Sequence, residues 1–98
     1  MVLIRKTNLF MKWLTGLRDQ KAIARIQIRI DRLALGNPGD VRPVGSGISE
    51  MRIDYGPGYR VYFSQRGSEF VILLCRGDKT TQKSDIENAK RVNKGVQG

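Results

Sequence analysis

Histidine is absent from the 98 residues of the chain, and cysteine occurs once, at Cys75. A lone cysteine cannot form a disulfide within the chain, which is typical of proteins kept in a reducing compartment. We therefore expect a cytoplasmic location. Cys75 ends an apolar run and has no histidine to act as its base, so a buried structural thiol is favoured over a nucleophile.

The chain also lacks the patterns that hold metals and nucleotide phosphates. Without histidine, and with its acids scattered, it shows no arrangement typical of a metal site. No segment matches GxxxxGK[ST], the glycine-rich loop that cradles phosphates. We expect no metal and no small-molecule cofactor.

Acidic residues are few, and long apolar runs are missing. Nine Asp and Glu stand against 18 Lys and Arg, which gives a net charge of +9 and a pI near 10.3. No apolar run approaches the roughly 20 residues of a membrane-spanning helix, so no membrane association is expected. The positive charge favours a polyanionic partner, such as nucleic acid or an acidic protein. The alternative is a basic domain whose charge only keeps it soluble.

The N-terminal half predicts a strand and two helices, within a single domain over residues 1–98. Val2-Leu3-Ile4 is a β-prone run, and Thr7 can cap the helix that follows it. The apolar face of that helix comprises Phe10, Trp13, Leu14 and Leu17. Asp19 can cap a second helix over residues 20–35.

The second helix has an apolar face and a basic face. The apolar positions are Ile23, Ile26, Ile30 and Leu33, and the opposite side carries Arg25, Arg29 and Arg32. A row of arginines is either a solvated surface or a set of phosphate contacts. These three arginines are therefore candidate RNA-binding residues.

The C-terminal half changes to the two-residue period of strands. Residues 41–44 are a candidate edge strand, because Pro43 cannot donate to a ladder. From Ile48 onward the alternation predicts an antiparallel meander of about three strands. Residues 70–75 are continuously apolar, which is typical of a strand covered on both faces.

A short helix should end the chain, capped by Ser84 or Thr81, with residues 93–98 frayed. The predicted fold class is therefore α+β. Two N-terminal helices would pack on a small antiparallel sheet, and a short C-terminal helix would follow it.

Polar residues should share one face of the central hairpin. A three-residue loop at Gly56-Pro57-Gly58 would set Tyr55 against Tyr59 and Ile53 against Val61. The polar face would then carry Glu50, Arg52, Asp54, Arg60 and Tyr62, and the helices would cover the opposite, apolar face. The alternative to a functional site is an ordinary exposed sheet face with cross-strand ion pairs.

That polar face has groups suited to cutting RNA at its own 2′-hydroxyl. Such a reaction needs a base, an acid, and cations for the charge that develops on phosphorus. Arg52, Arg60 and Lys79 can supply the cations, since arginine's planar fork of donors fits phosphate. Glu50 is a candidate base, and Tyr62 could stack on a nucleobase or donate a proton.

Several segments together resemble the phage-derived, HigB-type branch of the RelE/ParE toxin superfamily. These segments are FMKWLTGL over residues 10–17, GNPGD over 36–40, EMRIDYGPGYRVYF over 50–63 and GDKTTQKSDI over 77–86. The resemblance covers about residues 8–90. The third segment is long enough to be specific, whereas the others are weak alone.

The resemblance implies a microbial RNase-like fold and a toxin of a type II toxin-antitoxin system, held inactive by a cognate antitoxin. It implies metal-independent cleavage of mRNA in the ribosomal A site. Arg60 matches the family's strand arginine, Lys79 matches a functional position in the loop after the last strand, and Arg52 with Glu50 matches polar residues of the preceding strand. Tyr62 and Arg76 are further candidates for RNA contact.

The chain departs from its nuclease relatives in one respect. Several of them carry a His or Tyr near the C-terminus as acid or base, and here neither follows Arg76. The general acid and base therefore stay unassigned. ParE-like relatives share the fold but poison DNA gyrase, so a gyrase poison is an alternative, as is a non-catalytic RNA-binding module.

Overall fold

The structure is a computed structural model that describes residues 2–67 and 70–96. In chain order its elements are β1 (Leu3–Lys6), α1 (Asn8–Gly16), α2 (Gln20–Ala34), β2 (Val41–Gly45), β3 (Ile48–Ile53), β4 (Tyr59–Arg66), β5 (Phe70–Gly77) and α3 (Gln82–Gly95). The predicted α+β class is confirmed. Within the described residues, no helix is both long enough and apolar enough to cross a bilayer.

The strands form one sheet in the order β1-β5-β4-β3-β2. The strands from β2 to β5 pair antiparallel, as predicted, and β2 is an edge strand. The first strand differs from the predicted antiparallel sheet because β1 pairs parallel with β5. Parallel neighbours need a long crossover, which the chain between β1 and β5 supplies.

Both predicted caps of the N-terminal helices are confirmed. The Thr7 hydroxyl oxygen accepts from the Phe10 N–H at 3.1 Å, and the same hydroxyl donates to the Leu74 carbonyl at 2.6 Å. Asp19 caps α2 by accepting from the Lys21 N–H at 3.0 Å. Thr7 therefore starts α1 and also ties that start to β5.

The helices α1 and α2 cover one face of the sheet, as the apolar pattern predicts. The buried side chains there are Phe10, Ile26, Ile30, Leu33, Met51, Ile53, Val61, Phe63, Val71 and Leu73. Burial of each large apolar side chain contributes about 1.5–3 kcal/mol. This layer supplies most of the buried apolar surface and so fixes the sheet that carries the polar residues.

The other face is not open, as expected, but is covered by α3. Its buried cluster comprises Ile48, Tyr62, Ile72, Leu74, Cys75 and Ala89, with Ile86, Val92 and Val96 packed against it. The last helix is longer than predicted, because those four α3 residues give it an apolar stripe that extends past residue 93. Thr81, rather than Ser84, is its N-cap residue. Residues 97 and 98 of the predicted frayed end lie outside the described residues.

The predicted register of the β3–β4 hairpin is wrong by two residues. Ile53 pairs with Tyr59, and Met51 pairs with Val61. The loop therefore spans residues 54–58 rather than three residues. A shift of two keeps every side chain on its predicted face.

The hydrogen bonds around Tyr55 explain the longer loop. Tyr55 leaves the ladder because its hydroxyl donates to the Asp19 carboxylate, at 3.1 Å from Oδ2, while its N–H donates to the Ile53 carbonyl. Gly56 and Gly58 both take positive φ, at 59° and 77°, which permits the tight return. Asp54 thereby falls outside the strand and is exposed.

Candidate functional site

The predicted polar face holds a buried carboxylate, Glu50, that is 0% exposed. Its Oε1 accepts from Arg52 Nε at 3.0 Å and from Arg60 Nη1 at 2.9 Å. Its Oε2 accepts from the Tyr62 hydroxyl and from Gln82 Nε2, both at 2.9 Å. Four donors from β3, β4 and α3 therefore meet at one side chain.

These donors keep Glu50 ionised. Burial by itself would raise the pKa of Glu50, but hydrogen bonds from Arg52, Tyr62 and Gln82 outweigh it and hold that pKa below its usual range. A carboxylate with a lowered pKa and both oxygens occupied is a weak base. The geometry therefore favours Glu50 as a positioning residue that orients the two arginines.

Glu50 holds Arg52 and Arg60 side by side at one end of the sheet. They are cross-strand partners in the β3–β4 ladder. The Arg52 side chain is 31% exposed and that of Arg60 is 10% exposed. Since one carboxylate faces two guanidiniums, the cluster keeps a net positive charge, and Arg52 can present it to an anion.

Lys79 lies in the loop after β5, at the same end of the sheet as Arg60. Arg60 pairs with Gly77 at the end of β5, and the Lys79 N–H donates to the Pro57 carbonyl in the β3–β4 loop at 3.5 Å. The Lys79 side chain is exposed. The fold thus brings together the predicted residues Arg52, Arg60 and Lys79.

A turn centred on Asp78 gives the Lys79 loop its shape. Asp78 Oδ1 accepts from the Thr80 N–H at 2.8 Å, from the Thr80 hydroxyl at 2.7 Å and from the Thr81 N–H at 3.2 Å. These bonds, those of Thr80 foremost, lower the pKa of Asp78. The turn presents Lys79 on a fixed backbone, which favours a defined contact.

Two predicted RNA-binding residues are contradicted by their environments. The Tyr62 ring is 0% exposed, and burial together with the bond to Glu50 raises its pKa, so it can neither stack on a base nor donate a proton readily. Arg29 donates to the carbonyls of Arg52, Pro38 and Asp40. The covering helix α3 and the loop before β2 cause these differences, since both are tertiary features.

The other predicted RNA-binding arginines are placed differently from one another. Arg25 lies over the Tyr55 ring at 4.9 Å, and Arg32 is exposed on α2. Arg76 is exposed at the end of β5, close to the arginine cluster. Among these three, Arg76 alone lies beside the site on the same strand end.

Sequence reasoning missed Gln82 as a partner of the buried carboxylate. Gln82 is the first residue of α3 and reaches Glu50 only because that helix packs on the polar face. Nothing in the local sequence signals this contact. Cys75 is buried as predicted, and burial raises its pKa to about 11. Among residues 2–67 and 70–96, no group of three His, Cys, Asp or Glu side chains could hold a metal.

Comparison with known proteins gives one relative and no family description. No protein-family model matches the chain. The chain is 51% identical over 87 residues to a protein of Haemophilus influenzae that is named only as an uncharacterized protein. The match covers 89% of this chain and 88% of the relative. The chain therefore belongs to the same protein family as this Haemophilus influenzae protein.

Proposed function

We propose that the chain is a RelE/ParE-type toxin of a type II toxin-antitoxin system, and that it cleaves mRNA in the ribosomal A site. The observation that carries the proposal is the cationic cluster of Arg52, Arg60 and Lys79, assembled around the buried Glu50 at one end of the sheet. The net charge of +9 supports a polyanionic substrate. A cytoplasmic location and a cognate antitoxin that neutralises the basic surface belong to the same proposal.

In this mechanism the chain supplies electrostatic stabilisation and orientation. Arg52 and Lys79 would contact the scissile phosphate, and Arg60 would hold positive charge close to it while bonded to Glu50. Charge that develops on the phosphorane is stabilised by such fixed donors, which need no reorganisation during the step. The 2′-hydroxyl of the RNA is the nucleophile. Its proton acceptor is left unassigned, because the bonding of Glu50 makes that residue a poor base.

The experiment is mRNA cleavage on programmed ribosomes, with free mRNA as a control. We expect ribosome-dependent cutting by the wild type and a loss of at least about 100-fold in Lys79→Ala, since one oxyanion-stabilising donor is commonly worth that much. Lys79 is exposed, so this variant should fold.

The matched control is Lys94→Ala, which removes an exposed cation about 18 Å along α3 from Gln82. It should cut like the wild type. Equal loss in both variants would mean that overall charge, and not this cluster, drives the activity. No cutting by a folded wild type would reject the nuclease proposal, and inhibition of gyrase supercoiling would then favour the ParE-like alternative.

A further inference from the structure

A groove lies beside the arginine cluster, between α1, the end of β5 and the first turns of α3. Its volume is about 540 Å³, and its lining includes Leu9, Lys12, Trp13, Arg76, Ser84 and Asn88. Lys12 and Arg76 are both exposed. The groove therefore combines two cations, an aromatic ring and two neutral polar side chains, a set that suits a nucleotide.

The Trp13 ring is fixed in the groove wall by its neighbours. Its centroid is 5.5 Å from that of Phe10 in an edge-on arrangement and 6.0 Å from that of Tyr59. Trp13 is half-buried, so part of the indole lines the groove. An aromatic ring held in this way loses little conformational freedom when a base stacks on it.

The groove also contains a carboxylate, Asp85, whose charge is already partly compensated. Asp85 Oδ2 accepts from the Asp78 N–H at 3.3 Å and from the Thr81 hydroxyl. With Lys12 and Arg76 against one carboxylate, the groove keeps a net positive charge. A phosphate can therefore bind near the two cations.

The groove and the arginine cluster share a wall. Arg76 directly precedes Gly77, the strand partner of Arg60. Thr81 lines the groove, and the next residue, Gln82, donates to Glu50. A single strand whose phosphate lies at the arginine cluster would thus continue into the groove with its neighbouring nucleotide.

We propose that this groove binds one nucleotide of single-stranded RNA, adjacent to the phosphate held at the arginine cluster. Trp13 stacks on the base, Lys12 and Arg76 bind a phosphate, and Ser84 and Asn88 contact the base edge. The assignment rests on the proposed function, because it takes RNA as the substrate of the neighbouring site.

Trp13 provides a direct test, since it is the one tryptophan of the sequence. The probe is a trinucleotide of 2′-O-methyl RNA, which cannot be cleaved through its 2′-oxygen, titrated while tryptophan emission is recorded. We expect saturable quenching. Lys12→Ala with Arg76→Ala should weaken binding about tenfold and reduce its salt dependence by about 0.7 per lost phosphate contact, on a double-logarithmic plot. Lys94→Ala should bind like the wild type.

Two results would overturn the groove assignment. One is unchanged emission while the anisotropy of a labelled trinucleotide shows that it is bound. The other is wild-type affinity in the double variant. Since the oligonucleotide is never cut, either result can coexist with full cleavage on ribosomes, which would leave the proposed function standing. Conversely, quenching that depends on Lys12 and Arg76 supports the groove even if no cleavage is found.

Discussion

At the scale of single residues, Glu50 explains most about the candidate site. A charged carboxylate with no exposed surface is tolerated only when donors replace its water, and here four donors do so. The same bonds fix the guanidiniums of Arg52 and Arg60. Glu50 therefore links stability to the geometry of the cationic cluster.

Replacing Glu50 with Gln should remove that link. The variant keeps the shape of the side chain but leaves two guanidiniums without a counter-charge, so we expect it to lower the free energy of unfolding by about 3 kcal/mol. Urea unfolding measures this. Glu87→Gln, which changes an exposed carboxylate of α3, is the matched control and should shift it by less than about 0.5 kcal/mol.

The same pair of variants should differ in their response to acid. The pKa of Glu50 is lowered in the fold, so its contribution is fully present at neutral pH and is lost as pH falls below the ordinary value of 4.5, down through the lowered pKa. Wild type and Glu87→Gln should therefore lose stability on this acid limb more steeply than Glu50→Gln. Parallel acid limbs in all three proteins would contradict the lowered pKa.

At the scale of elements, local signals predicted the helices well and the hairpin less well. Thr7 and Asp19 start their helices because capping depends on bonds to amides within three residues. The hairpin register was missed because Tyr55 is drawn out of the ladder by Asp19, a residue 36 positions away. Strand faces survived this error because the shift was even.

The candidate site was predictable in its members but not in its burial. The two-residue period placed Glu50, Arg52 and Arg60 on one face, and the structure joins them by hydrogen bonds. The covering of that face by α3, with the contact from Gln82 that results, is a tertiary effect. For the same reason Tyr62 was expected to be accessible and is buried instead.

Arg29 shows how an arginine of a basic helix can act within the fold. Its guanidinium joins α2 to the loop before β2 and to β3, through the carbonyls of Pro38, Asp40 and Arg52. Burial foremost lowers its pKa. Its side chain is therefore occupied by the protein itself.

We expect Arg29→Ala to lower the free energy of unfolding by about 2 kcal/mol, since the charged donor bonds are lost and carbonyls lose their partner. Arg32→Ala, on the same helix, removes an exposed side chain and should cost less than about 0.5 kcal/mol. Thermal or urea unfolding of the two variants compares them. A larger effect from Arg32 than from Arg29 would refute the assignment of Arg29 as a structural tie.

At the scale of the whole molecule, the helices and the excess charge divide their tasks. The layer of α1 and α2 fixes the sheet, and α3 orders the polar residues on the opposite face. The cations at the end of the sheet and in the neighbouring groove then lie along one path from Lys79 to Lys12. Such a path fits a single strand of RNA better than a compact ligand.

The most direct test of the central claim is to map mRNA 5′ ends in cells after brief expression of the wild type and of Lys79→Ala. Cleavage in the ribosomal A site predicts new ends inside coding regions at one fixed position within the codon. These ends should be absent with Lys79→Ala and present with Lys94→Ala. New ends without a relation to reading frame, or no new ends while growth stops, would contradict the account.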